Sequence, residues 1–381
     1  MLLELLSEKA RRKVSPGEFV EIDVDLMLSH ENADLVIEKF RETGKKLHNP
    51  DKIFIVLDHR TPAESEGTAN LHARIREFVK QNGIKNFYDV GSGICHEVLA
   101  ESGILSDGMF VLGTDSHTPT AGYASAIGYG VGATDMAYAW ATGKIYLEVP
   151  EIRNVELTGK TLKNVYPMDV SLHLLSMLGM ENEHAAFELS GDYINTIPEA
   201  GRKNLCNMLV ETGAATVCLA KTESREPIKV DVSKIERVVA VPPTPSNIKP
   251  VSEVKGAKID QVFVGTCTSG RLEDIAVVAT VLKNKKVHPD VRMIVAPATR
   301  RVLQDGLKMG YIKTLVNAGC VLLPPGCGPC LGAHMGLLAN GEVCLSAGNR
   351  NYPGRMGSRN AKIYLASPYT CAKSAIEGEL V

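Results

Sequence analysis

The stretch Pro324-Pro325-Gly326-Cys327-Gly328-Pro329-Cys330-Leu331-Gly332 decides how this chain is read. Two cysteines separated by Gly-Pro can aim two thiolates at one centre, and the surrounding glycines and prolines leave the folded backbone little freedom. A Cys-x-x-Cys alone is ambiguous, because structural zinc, a redox dithiol and an iron–sulfur cluster all use it. A partner stands upstream in Gly265-Thr266-Cys267-Thr268-Ser269-Gly270-Arg271, another Gly-bounded turn that follows an apolar run. Together the two turns predict three cysteines, Cys267, Cys327 and Cys330, meeting in space.

Around these turns the chain alternates β and α. Residues 261–264, 291–295 and 321–323 read as strands, and 271–282 and 299–309 as helices. The two cysteine turns follow the first and third of these strands, which puts both half-sites at one edge of a parallel sheet. The first third repeats the pattern. Ile53-Phe-Ile-Val-Leu57 is short and wholly apolar, as in a strand covered on both faces, and ends in Asp58-His59. Residues 86–90 lead to His96, and 110–112 lead to Asp115-Ser-His117. Ligands of open α/β sheets bind beyond the carboxyl ends of the strands. One His there is ordinarily a hydrogen-bonded loop residue. Three at equivalent positions, two with an Asp close before them, suit acid–base chemistry, since a carboxylate fixes the imidazole tautomer and raises its basicity. Gly128-Tyr-Gly130-Val-Gly132 lacks a preceding apolar strand and a dinucleotide-loop spacing, so it reads as close helix–strand packing.

A boundary is expected near Val149-Pro150-Glu151. Beyond it a strand opens at Val155, residues 169–178 read as a helix, and Asn207 and Glu211 lie on one face at the end of another. Taken alone, that pair is an exposed polar couple. Residues 221–255 are charged and Pro-rich and read as an extended connection. The expected domains are therefore 1–150, carrying the Asp/His motifs; 151–255, with the Pro-rich linker; and 256–381, carrying the cysteines.

Composition sets the outer limits. The 381 residues are 44% hydrophobic and 23% charged, and the formal net charge is −2. A globular chain of that balance gives no electrostatic reason to expect nucleic acid or an anionic membrane, so small molecules are the expected partners. Nine cysteines without a signal peptide read as a reduced, cytoplasmic interior. The opening Met1–Arg12 stretch reads as an amphipathic helix, too short to span a bilayer.

Four motifs in order, Thr-Asp115-Ser-His117-Thr, Gly-Thr-Cys267-Thr, Pro-Gly-Cys327-Gly-Pro-Cys330-Leu-Gly and Asn349-Arg350-Asn351-Tyr-Pro-Gly-Arg355, resemble the aconitase superfamily. Within it the chain looks most like the separate large subunits of 3-isopropylmalate dehydratase, homoaconitase and the methylmalate-type dehydratases. The resemblance implies three-layer α/β/α domains, with mostly parallel sheets, around a central cluster. It implies one 4Fe-4S cluster per subunit, held by Cys267, Cys327 and Cys330, with the fourth iron left for a hydroxy acid. The activity would be a hydro-lyase that reversibly dehydrates a branched di- or tricarboxylic acid. Asp58 and His59 would protonate the departing hydroxyl. His96 with Asp115 and His117 with Glu211 would complete the acid–base shell, while Asn207, Asn349, Arg350 and Arg355 would orient substrate.

In that family the proton-abstracting serine sits on a small swivelling domain. This chain carries no such domain before Val381, so a small-subunit partner is expected. Three departures bear on specificity: the loop Ser29-His-Glu-Asn-Ala-Asp34, which is shorter than its counterparts and lacks their Thr; Ser269 in place of the usual Asn; and a shortened region after Glu211. Two readings of other classes are an iron-responsive regulatory protein and a structural zinc protein with His334 as fourth ligand.

Overall fold

In the computed structural model, which describes residues 1–220 and 226–381, three of the sheets are wholly or mostly parallel, and two of them, the first and the third described below, present their carboxyl ends to a common site. The first sheet runs, in space, Asn86–Tyr88, Ile53–Val56, Leu26–Ser29, Phe110–Gly113, Ile127–Gly130, every pair parallel. Numbered along the chain, that order is 3-2-1-4-5. It reverses between the strands Leu26–Ser29 and Phe110–Gly113, and a crevice opens where the crossovers part to opposite faces. All four residues of Ile53–Val56 are buried, as its unbroken apolar sequence requires. Helices Ala33–Glu42, Glu66–Asn82 and Ala133–Thr142 cover the sheet. Trp140 packs on Phe78 and Phe40 at ring separations of 5.7 and 6.1 Å.

The second sheet orders Thr216–Leu219, Ala185–Ser190, Glu151–Thr158 and Ile228–Asp231, again all parallel. The third has seven strands: Ile248–Pro250, Val238–Ala240, Lys362–Leu365, Val343–Ser346, Gln261–Val264, Arg292–Val295 and Val321–Leu322. Its last five are mutually parallel and reverse direction of travel between Val343–Ser346 and Gln261–Val264. That second crevice receives Cys267 from one strand and Asn349 and Arg350 from its neighbour.

Two readings change. The 221–255 stretch is more than a connection. Lys221–Arg225 lie outside the described residues, but Ile228–Asp231 joins the second sheet, and Val238–Ala240 pairs antiparallel with Ile248–Pro250 at the edge of the third. An edge strand needs N–H groups on one side only, which is why the prolines are tolerated there. The Gly-rich run near 130 includes a strand, Ile127–Gly130. A Cβ at Gly128 would lie 2.1 Å from the Thr118 carbonyl oxygen, so the glycine does serve the close approach of a helical turn.

Candidate active site

Cys327 is held by the loop that follows strand Ile53–Val56. Its N–H donates to the Asp58 carbonyl at 3.0 Å, and a Cβ on Gly326, whose φ is +153°, would come within 3.0 Å of that same oxygen. Gly332 (φ +71°) leaves room for the Arg355 carbonyl, 2.5 Å from where a Cβ would sit. The glycines of the Cys-x-x-Cys turn thus permit backbone contacts that carry it onto the Asp58 loop on one side and the Arg355 loop on the other. Opposite, Cys267 stands in the single helical turn Thr266–Ser269, and Thr266 takes φ +72°, a strained conformation for a β-branched residue. Thr266 Oγ1 accepts the Thr268 N–H at 2.9 Å, closing the turn.

The three cysteines line one cavity of about 440 Å³. Ten of the thirteen residues singled out from the sequence form its walls: the three cysteines with His59, His96, Asp115, His117, Asn349, Arg350 and Arg355. The other three stand directly behind. Asp58 Oδ1 is 2.7 Å from His59 Nδ1, Glu211 bonds His117 and Arg350, and Asn207 donates to Cys267 Sγ at 3.1 Å. Asn207 and Glu211 are 0% and 6% exposed, so the surface-pair reading of them fails. Asn349 Nδ2 also donates to Cys267 Sγ (3.7 Å), Cys330 Sγ donates to Asn349 Oδ1 (3.6 Å), and Arg355 donates to Cys330 Sγ (3.7 Å).

The imidazoles and carboxylates form a continuous chain. His59 has a carboxylate on each ring nitrogen, Asp58 at Nδ1 and Asp115 Oδ2 at 3.2 Å from Nε2. Burial pushes His59 down, but Cys327, Asp58 and Asp115 more than reverse this and raise it well above the ordinary histidine value. Asp115 Oδ1 then meets His96 Nε2 at 2.9 Å and the His117 N–H at 2.7 Å. Burial works against the Asp115 charge, yet contacts with His117, His59 and His96 hold it well below the usual carboxylate range. His117 Nε2 continues to Glu211 Oε1 at 2.9 Å, and Glu211 accepts Arg350 Nε at 2.7 and 2.9 Å.

The sequence reading missed His30 and Glu31 as members of this chain. His30 stacks on His59 with centroids 4.0 Å apart. Glu31, 5% exposed, accepts the His59 N–H at 3.0 Å and the Arg60 N–H at 2.8 Å, fixing the loop behind Asp58. Burial raises Glu31, and the His30 and His72 imidazoles, 3.7 and 3.6 Å away, together with His59 outweigh it and bring it well below its ordinary value. The signal was present: Leu26-Met-Leu-Ser-His30 is a fourth apolar run ending in histidine. Of the departures, Ser269 buries its hydroxyl without a partner. His334 turns Nε2 to the Thr61 carbonyl (3.1 Å) and does not line the cavity.

The donor set fits a thiolate-held metal cluster. Three thiols share one cavity, and Cys267 and Cys327 are each 7% exposed. Burial raises Cys267 well above the ordinary thiol value and Cys327 to about 12, a shift that a bound cation taking the proton's place reverses. Imidazole–carboxylate pairs facing such thiols are an arrangement that can combine acid–base chemistry with a bound metal.

The chain belongs to the aconitase family (aconitate hydratase), whose sequence profile matches residues 5–226 and 246–378. It is 42% identical over 407 residues to 3-isopropylmalate dehydratase large subunit 1 of Methanopyrus kandleri, covering 100% of this chain and 97% of that protein. It is 40% identical over 410 residues to the methanogen homoaconitase large subunit of Methanocaldococcus jannaschii, covering 98% and 97%. The crystal structure of Thermococcus kodakaraensis aconitase X in its holo-form shares the fold, with a TM-score of 0.52 at 14% identity over 86% of this chain and 84% of that one. Among the described residues no helix is long and apolar enough to cross a membrane.

Proposed function

We propose that this chain is the large subunit of an iron–sulfur hydro-lyase that reversibly dehydrates a branched hydroxy acid, with 3-isopropylmalate the leading substrate. The observation that carries the reading is the shared cavity: three thiols on one side and the Asp58–His59–Asp115–His96 and His117–Glu211 chain on the other.

Cys267, Cys327 and Cys330 would hold a 4Fe-4S cluster, which when bound supplies a Lewis-acid iron that eases the departure of hydroxide. His59, set between two carboxylates, stays protonated and positioned as the acid for that leaving group. Arg350, braced by Glu211, and Arg355 at the cavity wall present guanidinium groups to the substrate carboxylates. Asn207 and Asn349 aim their amide N–H groups at Cys267 Sγ and stabilise negative charge on that sulfur.

The base that removes the carbon-bound proton would come from a small-subunit partner with a swivelling domain and a catalytic serine. The relatives' names, both of large subunits, support a heteromer. Among the described residues the cavity wall offers one serine, Ser116, and its Oγ already accepts a hydrogen bond from Arg350 at 3.0 Å.

Homoaconitase activity is the second reading, because the identity to that relative is almost as high over nearly the whole chain. Co-expression with the small subunit, followed by an anaerobic screen of isopropylmalate, homocitrate, citrate, methylmalate and dimethylmalate, separates them. Turnover of isopropylmalate far above homocitrate supports the leading substrate, and the reverse order replaces it. Robust turnover by the large chain alone would overturn the partner's role.

A further inference from the structure

Directly beneath the Cys267 turn, three charged side chains from two helices and the cap of a third meet in the interior. Glu97, beside His96 at the start of helix Cys95–Ser102, is 4% exposed; Lys203, on helix Glu199–Met208, is 6%; Arg271 is 4%. Arg271 Nε and Nη2 reach Glu97 Oε1 at 2.9 and 2.7 Å, and Lys203 Nζ reaches Glu97 Oε2 at 3.1 Å. Burial pushes Glu97 up, and Arg271 and Lys203 more than offset it, so its carboxylate stays ionised.

Arg271 does more than pair. Its Nη1 donates to the Thr268 carbonyl at 2.8 Å and to the Ala200 carbonyl at 3.3 Å, and its Nη2 donates to the Cys267 carbonyl. The Cys267 and Thr268 carbonyls are among those that the single helical turn Thr266–Ser269 leaves unsatisfied at its end, while Ala200 lies on the helix that carries Lys203. The same turn is gripped by the helix that carries Lys203. Asn204 Nδ2 donates to the Thr268 carbonyl at 2.9 Å, and Asn207 Oδ1 accepts Thr268 Oγ1 at 2.9 Å while its amide reaches Cys267 Sγ.

We propose that Glu97, Lys203 and Arg271 are a positioning triad, which fixes the Cys267 turn in register with His96 and with Asn207. The proposal rests on Cys267 being a cluster ligand, as set out under the proposed function. Its physical basis is that a buried ion network is weak evidence for stability, since apolar residues of the same volume would hold the domains as well. Charges with directional hydrogen bonds instead specify one arrangement of the groups they join. Here those groups are an acid–base loop, a thiol-bearing turn and the helix that solvates the sulfur.

The test is residue-resolved alkylation of the full-length cluster-free protein with iodoacetamide, read by mass spectrometry at Cys267 and at Cys344. Cys344 is 0% exposed and lies in the same sheet as the Cys267 strand, so it reports general loosening. Glu97→Gln is expected to raise Cys267 labelling about tenfold and leave Cys344 unchanged, with Glu97→Asp intermediate. Iron release to a chelator after anaerobic loading is expected to speed up by about the same factor. Parallel rises at both cysteines, or no change at either, would overturn the triad's positioning role.

Should Glu97→Gln fail to fold, Lys203→Met, which leaves the Glu97–Arg271 pair intact, must still raise Cys267 labelling about threefold relative to Cys344. An unchanged ratio there overturns the proposal equally. A parent protein that takes up no iron and sulfide would sink the functional reading instead, and the alkylation ratio would still judge the triad.

Discussion

Replacing Asp115 by Asn tests the chemistry at its hub. Asp115 is 14% exposed in its side chain and accepts three donors, His59 Nε2, His96 Nε2 and the His117 N–H. An Asn keeps one acceptor oxygen and turns the other into an N–H donor. If the oxygen stays with His96 and His117, the new N–H faces His59 and that bond is lost. Hydrogen bonds to a charged acceptor contribute about 1.5–3 kcal/mol each, so the cluster-free protein is expected to lose about 2–3 kcal/mol in urea unfolding. His59 would also lose one of the two carboxylates that orient it, and a misplaced general acid costs about 10²–10⁴ in rate. The assay is steady-state dehydration by the anaerobically loaded heteromer, with iron measured in the same sample. Asp115 bonds imidazoles and a backbone amide, not the thiols, so iron content should match the parent. Turnover within twofold of the parent at equal iron would refute the acid–base chain.

Glu211→Gln releases the brace on Arg350, whose side chain is 24% exposed; KM is expected to rise about tenfold with a smaller change in kcat, and an unchanged KM contradicts the carboxylate-binding role. Gly326→Ala forces a Cβ to within 3.0 Å of the Asp58 carbonyl at φ +153°, and should cost about 1–3 kcal/mol in a denaturant melt. A midpoint equal to the parent's would show that this approach imposes no constraint. Asp169, buried and pushed up to about 6, ionises less readily folded than unfolded. Its contribution is therefore full below about pH 4 and declines as pH rises to about 6, by about 2–3 kcal/mol as an upper figure. Asp169→Asn should remove that segment of the cluster-free protein's stability–pH curve, and an identical slope in parent and variant would rule this out.

What the sequence made legible follows from how local the signals are. Ile53–Val56 and Gln261–Val264 are fully buried parallel strands, so their apolar runs stand out without any partner being known. The cysteine turns and Asp-His pairs fall where those runs stop, which located the site. Other features depend on pairings distant in sequence. Val238–Ala240 becomes a strand by pairing with Ile248–Pro250 and with the strand ending at Leu365, and the prolines that follow it, Pro242, Pro243 and Pro245, disguise it locally. Asn207 and Glu211 look like a surface couple until Cys267, His117 and Arg350 are brought against them. Glu31 shows its role only through the His59 and Arg60 backbone amides 28 and 29 residues away.

The central claim is that Cys267, Cys327 and Cys330 hold one iron–sulfur cluster at the head of the cavity. Iron, zinc and acid-labile sulfide, measured per chain on anaerobically purified protein, test it most directly. The account predicts about four iron and four sulfide per chain, both lost in Cys267→Ser. One zinc per chain with no sulfide would contradict it.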